Sequence, residues 1–187
     1  PAMVELCSEE DENLAQWAVI ALRNACTTKE TLSKVDVEKL SSVLLSSKND
    51  DVRAKISLVL RNVFAASADQ TISPEKCKKS PEAFKALTLT ANAASGPLLE
   101  NSLWALTFVS GERIQVIVDA GILPVCTNKL STMESFPTGE YASQILANCC
   151  NSDVDLSSLF EDEAWKNFSY SFTCLSPKIL EKLSCAI

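Results

Sequence analysis

The chain has 187 residues, of which 47% are hydrophobic and only four are glycine, and its 24 acidic residues outnumber 17 basic ones for a net charge of −7. That length is enough to bury a core, and the scarcity of glycine argues for helices against a turn-rich β fold. The acidic balance argues against broad binding to phosphate backbones, and so against a nucleic-acid partner. There is no histidine, which removes the usual general base and the usual metal ligand. The expectation is a chain without enzymatic activity, cofactor or metal.

Eight cysteines are present. Cys26, Cys126, Cys149 and Cys150 fall inside apolar helical runs, where a free thiol packs as a small hydrophobe. No segment reads as a signal peptide and no apolar run is long enough to span a membrane. The expected location is therefore cytoplasmic or nuclear, with reduced thiols and no membrane partner.

In chain order, residues 13–27 place Leu14, Trp17, Ala18, Ala21, Leu22 and Ala25 on one helical stripe. Residues 51–67 repeat the pattern with Val52, Ile56, Val59, Leu60, Val63 and Phe64, behind cap candidates Asn49, Asp50 and Asp51. An irregular loop at 73–81 carries a small basic cluster, Lys76, Lys78 and Lys79. It ends in Ser80-Pro81-Glu82, a helix start with Pro at its first position. Gly96-Pro97 opens a helix with Leu99, Leu103, Trp104 and Leu106, for which Gly111 is the expected stop. Glu112 to Asp119 reads as a short helix with Ile114, Ile117 and Val118 inside. Gly121 then turns the chain into a helix holding Leu123, Pro124, Cys126 and Leu130. Pro137 and Gly139 mark a break before Tyr141, Ile145, Leu146 and Cys149 line the next helix. Beyond it, Trp165, Phe168, Phe172 and Leu175 form a stripe that either caps the last repeat or serves as a dimer or partner surface.

The longer helices share a register. Positions 24, 62, 108 and 148 are equivalent and lie 38, 46 and 40 residues apart, the spacing of a three-helix repeat of about forty residues. The run Asn101-Ser102-Leu103-Trp104-Ala105-Leu106-Thr107-Phe108-Val109-Ser110-Gly111, followed by Val116-Ile117-Val118-Asp119-Ala120-Gly121-Ile122-Leu123-Pro124, resembles an armadillo repeat. The resemblance is specific over about 97–150, looser over 13–67 and weak beyond 152. The segment 17–24 is also similar to the repeats of ataxin-10-like proteins.

That resemblance implies an all-α, right-handed superhelix, an armadillo/HEAT-like solenoid of three to four repeats forming a single domain over 1–187. The repeats are expected at 3–27 (partial), 28–67, 71–110 with the inserted loop, and 111–151, with a C-terminal cap at 152–187. It also implies a concave groove of third helices. In importin-α-like members, an asparagine there hydrogen-bonds the backbone of an extended peptide and a tryptophan one turn earlier packs on its side chains. The asparagine is present here as Asn24, Asn62 and Asn148, with Phe108 at the remaining site. The tryptophan is present as Trp104, with Ile20, Leu58 and Gln144 elsewhere. No repeat carries both, which counts against a nuclear localisation signal as ligand and leaves a groove for another segment, with apolar anchors at Trp104 and Phe108.

Each candidate has a plainer role beside the functional one. The asparagines either read a peptide, bridge adjacent repeats or simply face water. Arg23 and Arg61 either clamp an acidic ligand residue, make ion pairs between repeats or stay solvated. Trp104 and Phe108 are either anchors or core. The function these features imply is a protein or peptide interaction module. The alternative is a structural scaffold that self-associates through its terminal helices. Regulation of a GTPase or chaperone follows only from fold analogy.

Overall fold

The computed structural model describes residues 2–7, 11–73, 80–109, 113–132, 135–152 and 154. The described residues form ten helices and no strand: α1 (Ala2–Leu6), α2 (Glu12–Ala25), α3 (Lys29–Ser33), α4 (Val37–Ser46), α5 (Asp50–Ala68), α6 (Pro81–Ala93), α7 (Gly96–Leu106), α8 (Arg113–Asp119), α9 (Ile122–Thr132) and α10 (Phe136–Cys150). Two compact units divide the chain, the first running to Phe108 and the second beginning at Val109.

Local chemistry sets where helices begin. The Asp11 carboxylate accepts from the Asn13 and Leu14 amides ahead of α2, and Asn49 accepts from Asp51 and Val52 ahead of α5. Thr28 and Thr31 form a reciprocal capping box at α3, while Asp36 and Ser135 cap α4 and α10. Each such cap satisfies a backbone donor that the helix cannot.

In the first unit α5 is the central element, packed against α2, α4 and α7, while α6 lies against both α4 and α7. The stripe Val52, Ile56, Val59, Leu60, Val63 and Phe64 is buried as the periodicity predicts, none of it more than 1% exposed. Phe64 meets Phe84 of α6 with ring centroids 4.9 Å apart. The second unit has a short helix, a turn, and α9 packed on α10, with Ile114, Ile117, Leu123, Cys126, Leu130, Ile145, Leu146 and Cys149 buried.

The α8–α9 turn depends on Gly121, whose φ of +87° is one that L side chains rarely adopt. A Cβ there would meet nothing within 4 Å, so the cost of adding one lies in the backbone alone. Gly121→Ala is therefore expected to lower stability by about 1–2 kcal/mol, read as a fall in urea midpoint at unchanged helix content.

Three expectations are corrected. On α2 the buried face is Ala15, Ala18, Val19 and Leu22, whereas Leu14 is 41% and Trp17 is 70% exposed. The helix thus turns Ala15 and Val19 inward in place of Leu14 and Trp17, while Ala18 and Leu22 of the expected stripe stay buried. Helix α7 ends at Leu106, well before Gly111: the Thr107 hydroxyl donates to the Trp104 carbonyl at 2.7 Å and the Thr107 amide caps the last turn. Pro137 does not break the chain; it sits in the first turn of α10, where no amide donor is missed. At α6, Pro81 opens the helix as expected, but Ser80 makes no side-chain cap bond. The readings of Lys76, Lys78 and Lys79, of Gly111, and of the stripe Trp165, Phe168, Phe172 and Leu175 lie outside the described residues.

Candidate functional site

In the first unit, α2, α5 and α7 lie side by side, α5 between the other two. Each turns one row of residues away from the core. Along α5 the row holds Leu58, Arg61 and Asn62, all half-buried; along α7 it holds Asn101 and Trp104, also half-buried. On α2 the row holds half-buried Ile20 with exposed Arg23 and Asn24. The spacings of three and four residues put each row on one helix face.

The centre of this face is a clasp between α5 and α7. The Arg61 guanidinium carbon lies 3.7 Å from the centroid of the Trp104 ring, a stacked cation–π contact. Its Nη1 donates to Asn101 Oδ1 at 2.8 Å, and Asn101 Nδ2 donates to the Ala54 carbonyl at 3.3 Å. Beneath them the Ser102 hydroxyl lies 3.3 Å from the Ser57 hydroxyl while donating to the Leu98 carbonyl at 2.8 Å. Arg61 thus makes a contact between repeats and at the same time forms one wall of an amphipathic platform with Trp104.

Beside that platform stands Asn62. Among the described residues its side chain has no hydrogen-bond partner, so a half-buried amide that can both donate and accept is left on the open side of α5. On α2, Arg23 donates through Nε and Nη2 to Asn24 Oδ1 at 3.3 and 3.0 Å. That bond leaves the Asn24 amide donors unassigned.

Phe108 is half-buried and follows the end of α7, so it does not continue the helical row of Trp104. Asn148 belongs to the second unit. Its Nδ2 donates to the Val109 carbonyl at 3.3 Å and its Oδ1 accepts from Gln144 at 2.9 Å. There the asparagine ties α10 to the segment ahead of α8. The residue that sequence reasoning missed is Asn101, the hinge pin of the α5–α7 clasp. Its only signal was the register: 46 positions earlier lies Lys55, again a half-buried polar residue directly before a buried one.

The face offers hydrogen bonds, one aromatic plate and two guanidiniums, but no nucleophile. Burial pushes the Cys149 thiol up to about 12 and Cys7 up to about 11, and lifts Cys26, Cys126 and Cys150 as well. Such thiols stay protonated at neutral pH and pack as hydrophobes. Among the described residues no cluster of acids and cysteines is arranged to hold a metal ion, and no helix is long and apolar enough to cross a membrane.

No protein-family model matches the sequence, and no curated protein matches it. Solved structures do. A computationally designed armadillo repeat protein for modular peptide recognition superposes with a TM-score of 0.77 at 19% identity, over 98% of this chain and 79% of that one. A designed armadillo repeat protein in complex with the peptide (KR)4 gives 0.72 at 17% identity, over 100% of this chain and 79% of that one. A further engineered protein gives 0.71 at 21% identity, over 98% and 77% of the two chains. With no strand among its described residues and helices grouped in the short–medium–long order of the repeat, the chain has the armadillo-repeat fold.

Proposed function

We propose that this protein is a non-enzymatic interaction module that holds an extended segment of a partner protein across α2, α5 and α7. The observation that carries the proposal is the half-buried amide of Asn62, without a partner among the described residues, beside the Arg61–Trp104 platform. An extended peptide presents alternating N–H and C=O groups at a regular rise. In this reading Asn62 and Asn24, on neighbouring third helices, bond such a row, while Trp104, on the other side of Asn62 from Asn24, offers apolar area to a further ligand side chain. Since Arg61 already stacks on Trp104, a ligand cation is not needed there.

The likeness to designed armadillo proteins, one made for modular peptide recognition and one in complex with the peptide (KR)4, supports this reading. The buried thiols support placement in the reducing cytoplasm or nucleus. The direct test pans the full chain against a displayed library of random dodecapeptides and measures the selected peptides by calorimetry. The double variant Asn24→Ala/Asn62→Ala is expected to bind them about tenfold or more weakly, two lost hydrogen bonds at about 1 kcal/mol each, with unchanged circular dichroism. Equal affinity in wild type and double variant would remove the groove from consideration.

A further inference from the structure

Acids outnumber bases by 24 to 17 in this chain, yet exposed Arg23 makes no ion pair among the described residues. The other arginines of the first unit are engaged. Arg53 pairs with Asp50 at 2.8 Å, and Arg61 stacks on Trp104 and bonds to Asn101. Along α2, the positions one turn before and after Arg23 hold Val19, Ile20, Cys26 and Thr27, none of them an acid.

The repeat register gives the reason. Arg23 and Arg61 occupy the same position of the repeat. From that position Arg61 reaches the next third helix and meets the Asn101 amide and the Trp104 ring. The matching positions of α5, the third helix that follows α2, hold Lys55 and Leu58. An ammonium repels a guanidinium and cannot accept its hydrogen bond, and a leucine has no π face. Lys55 is itself paired with Asp51 on its own helix. The arginine that clasps a neighbour at α5 is therefore released at α2, and the cause lies in the residues of α5. Arg23 turns instead to Asn24, donating through Nε and Nη2 to Oδ1 at 3.3 and 3.0 Å. The end-on edge of its fork, Nη1 with the second hydrogen of Nη2, stays unassigned.

We infer that Arg23 sets the specificity of the groove and takes an aspartate or glutamate side chain of the extended ligand. The inference rests on the groove reading of Asn24 and Asn62, and adds to it the chemistry of one ligand position. A guanidinium edge matches a carboxylate in a bidentate pair. Ile20, one turn earlier on the same row, and Leu58, at the register position of Ile20 on α5, are half-buried aliphatic residues. They remove water from one side of the pair, which strengthens it. Arg23 also holds Asn24 through Oδ1, which leaves the Asn24 Nδ2 donors to a ligand carbonyl. One residue thus bonds the ligand backbone while its neighbour reads a side chain.

Panning the full chain and its Arg23→Glu variant against the same displayed library of random dodecapeptides tests the assignment. Peptides selected by the wild type are expected to carry Asp or Glu at one fixed position of their alignment. Those selected by Arg23→Glu are expected to carry Lys or Arg there. In calorimetry, changing that acid to its amide should weaken binding to the wild type by about tenfold or more, and binding to Arg23→Gln far less. Arg23→Lys should keep the acidic preference at reduced affinity, since it retains the charge and loses the fork. Arg23 is exposed, so these variants are expected to melt with the wild type. Peptides that lose affinity on Asn62→Ala but carry no fixed acid, or whose acid Arg23→Gln reads equally well, overturn the inference and leave the groove in place. Peptides indifferent to Asn62→Ala overturn both.

Discussion

Replacing Phe64 with alanine is expected to lower the stability of the first unit by about 3–5 kcal/mol, the largest effect of any single truncation in that unit. Phe64 is fully buried, its ring 4.9 Å from that of Phe84, itself 1% exposed. It stands in α5, the one helix in contact with α2, α4 and α7 together. Truncation removes the transfer free energy of the ring, the aromatic pair's further contribution of about 0.5–1.5 kcal/mol, and the contacts around the void. Collapse cannot fill that void cheaply, because α5 is fixed on several sides. Domains of this kind are stable by only about 5–15 kcal/mol, so the variant sits near the edge of folding. Urea unfolding followed by circular dichroism reads the shift. Phe64→Leu, which retains most of the volume, should cost under about 1.5 kcal/mol. A midpoint unmoved by the alanine change would mean that the core does not run through α5.

The reason α5 was legible from sequence is physical. A helix enclosed by neighbours buries a broad stripe, and a broad stripe leaves an unambiguous period in the sequence. Helix α2 is enclosed on fewer sides. Its apolar residues cover both the buried face of Ala15, Val19 and Leu22 and the open face of Leu14, Trp17 and Ala21, and periodicity alone cannot say which of the two adjoining stripes goes inward. The end of α7 is set by Thr107 turning its hydroxyl back to the Trp104 carbonyl, a choice that Gly111 obscured. The register placed Asn24, Asn62 and Trp104 on third helices, and the fold has them on the outward rows of α2, α5 and α7. What the register could not give was pairing across helices. The Arg61–Trp104 stack and the Asn101–Ala54 bond join residues distant in sequence, and an amide on a helix looks the same in sequence whether it faces water or clasps a neighbour.

Trp104→Ala is expected to abolish most of the affinity for an extended ligand, by about 2–4 kcal/mol, or roughly 30- to 1,000-fold. Tryptophan at the middle of a recognition face contributes through area and rigidity, and here the ring is held in place by Arg61 at 3.7 Å on one side. The same change also frees Arg61 from its stack, at a cost to stability of about 0.5–2 kcal/mol, so binding and folding must be measured separately. Arg61→Met separates them. It keeps an apolar stem against the ring but removes the charge and the bond to Asn101, and so should loosen the α5–α7 clasp while leaving the aromatic plate. If the plate is the anchor, the methionine variant loses far less affinity than Trp104→Ala at a comparable loss of stability. If the two variants lose affinity in proportion to stability, Trp104 is a structural strut, and recognition falls to the asparagines alone. Trp104→Phe completes the comparison: a smaller plate on the same clasp should give an intermediate affinity, because the contribution scales with the aromatic area the ligand covers.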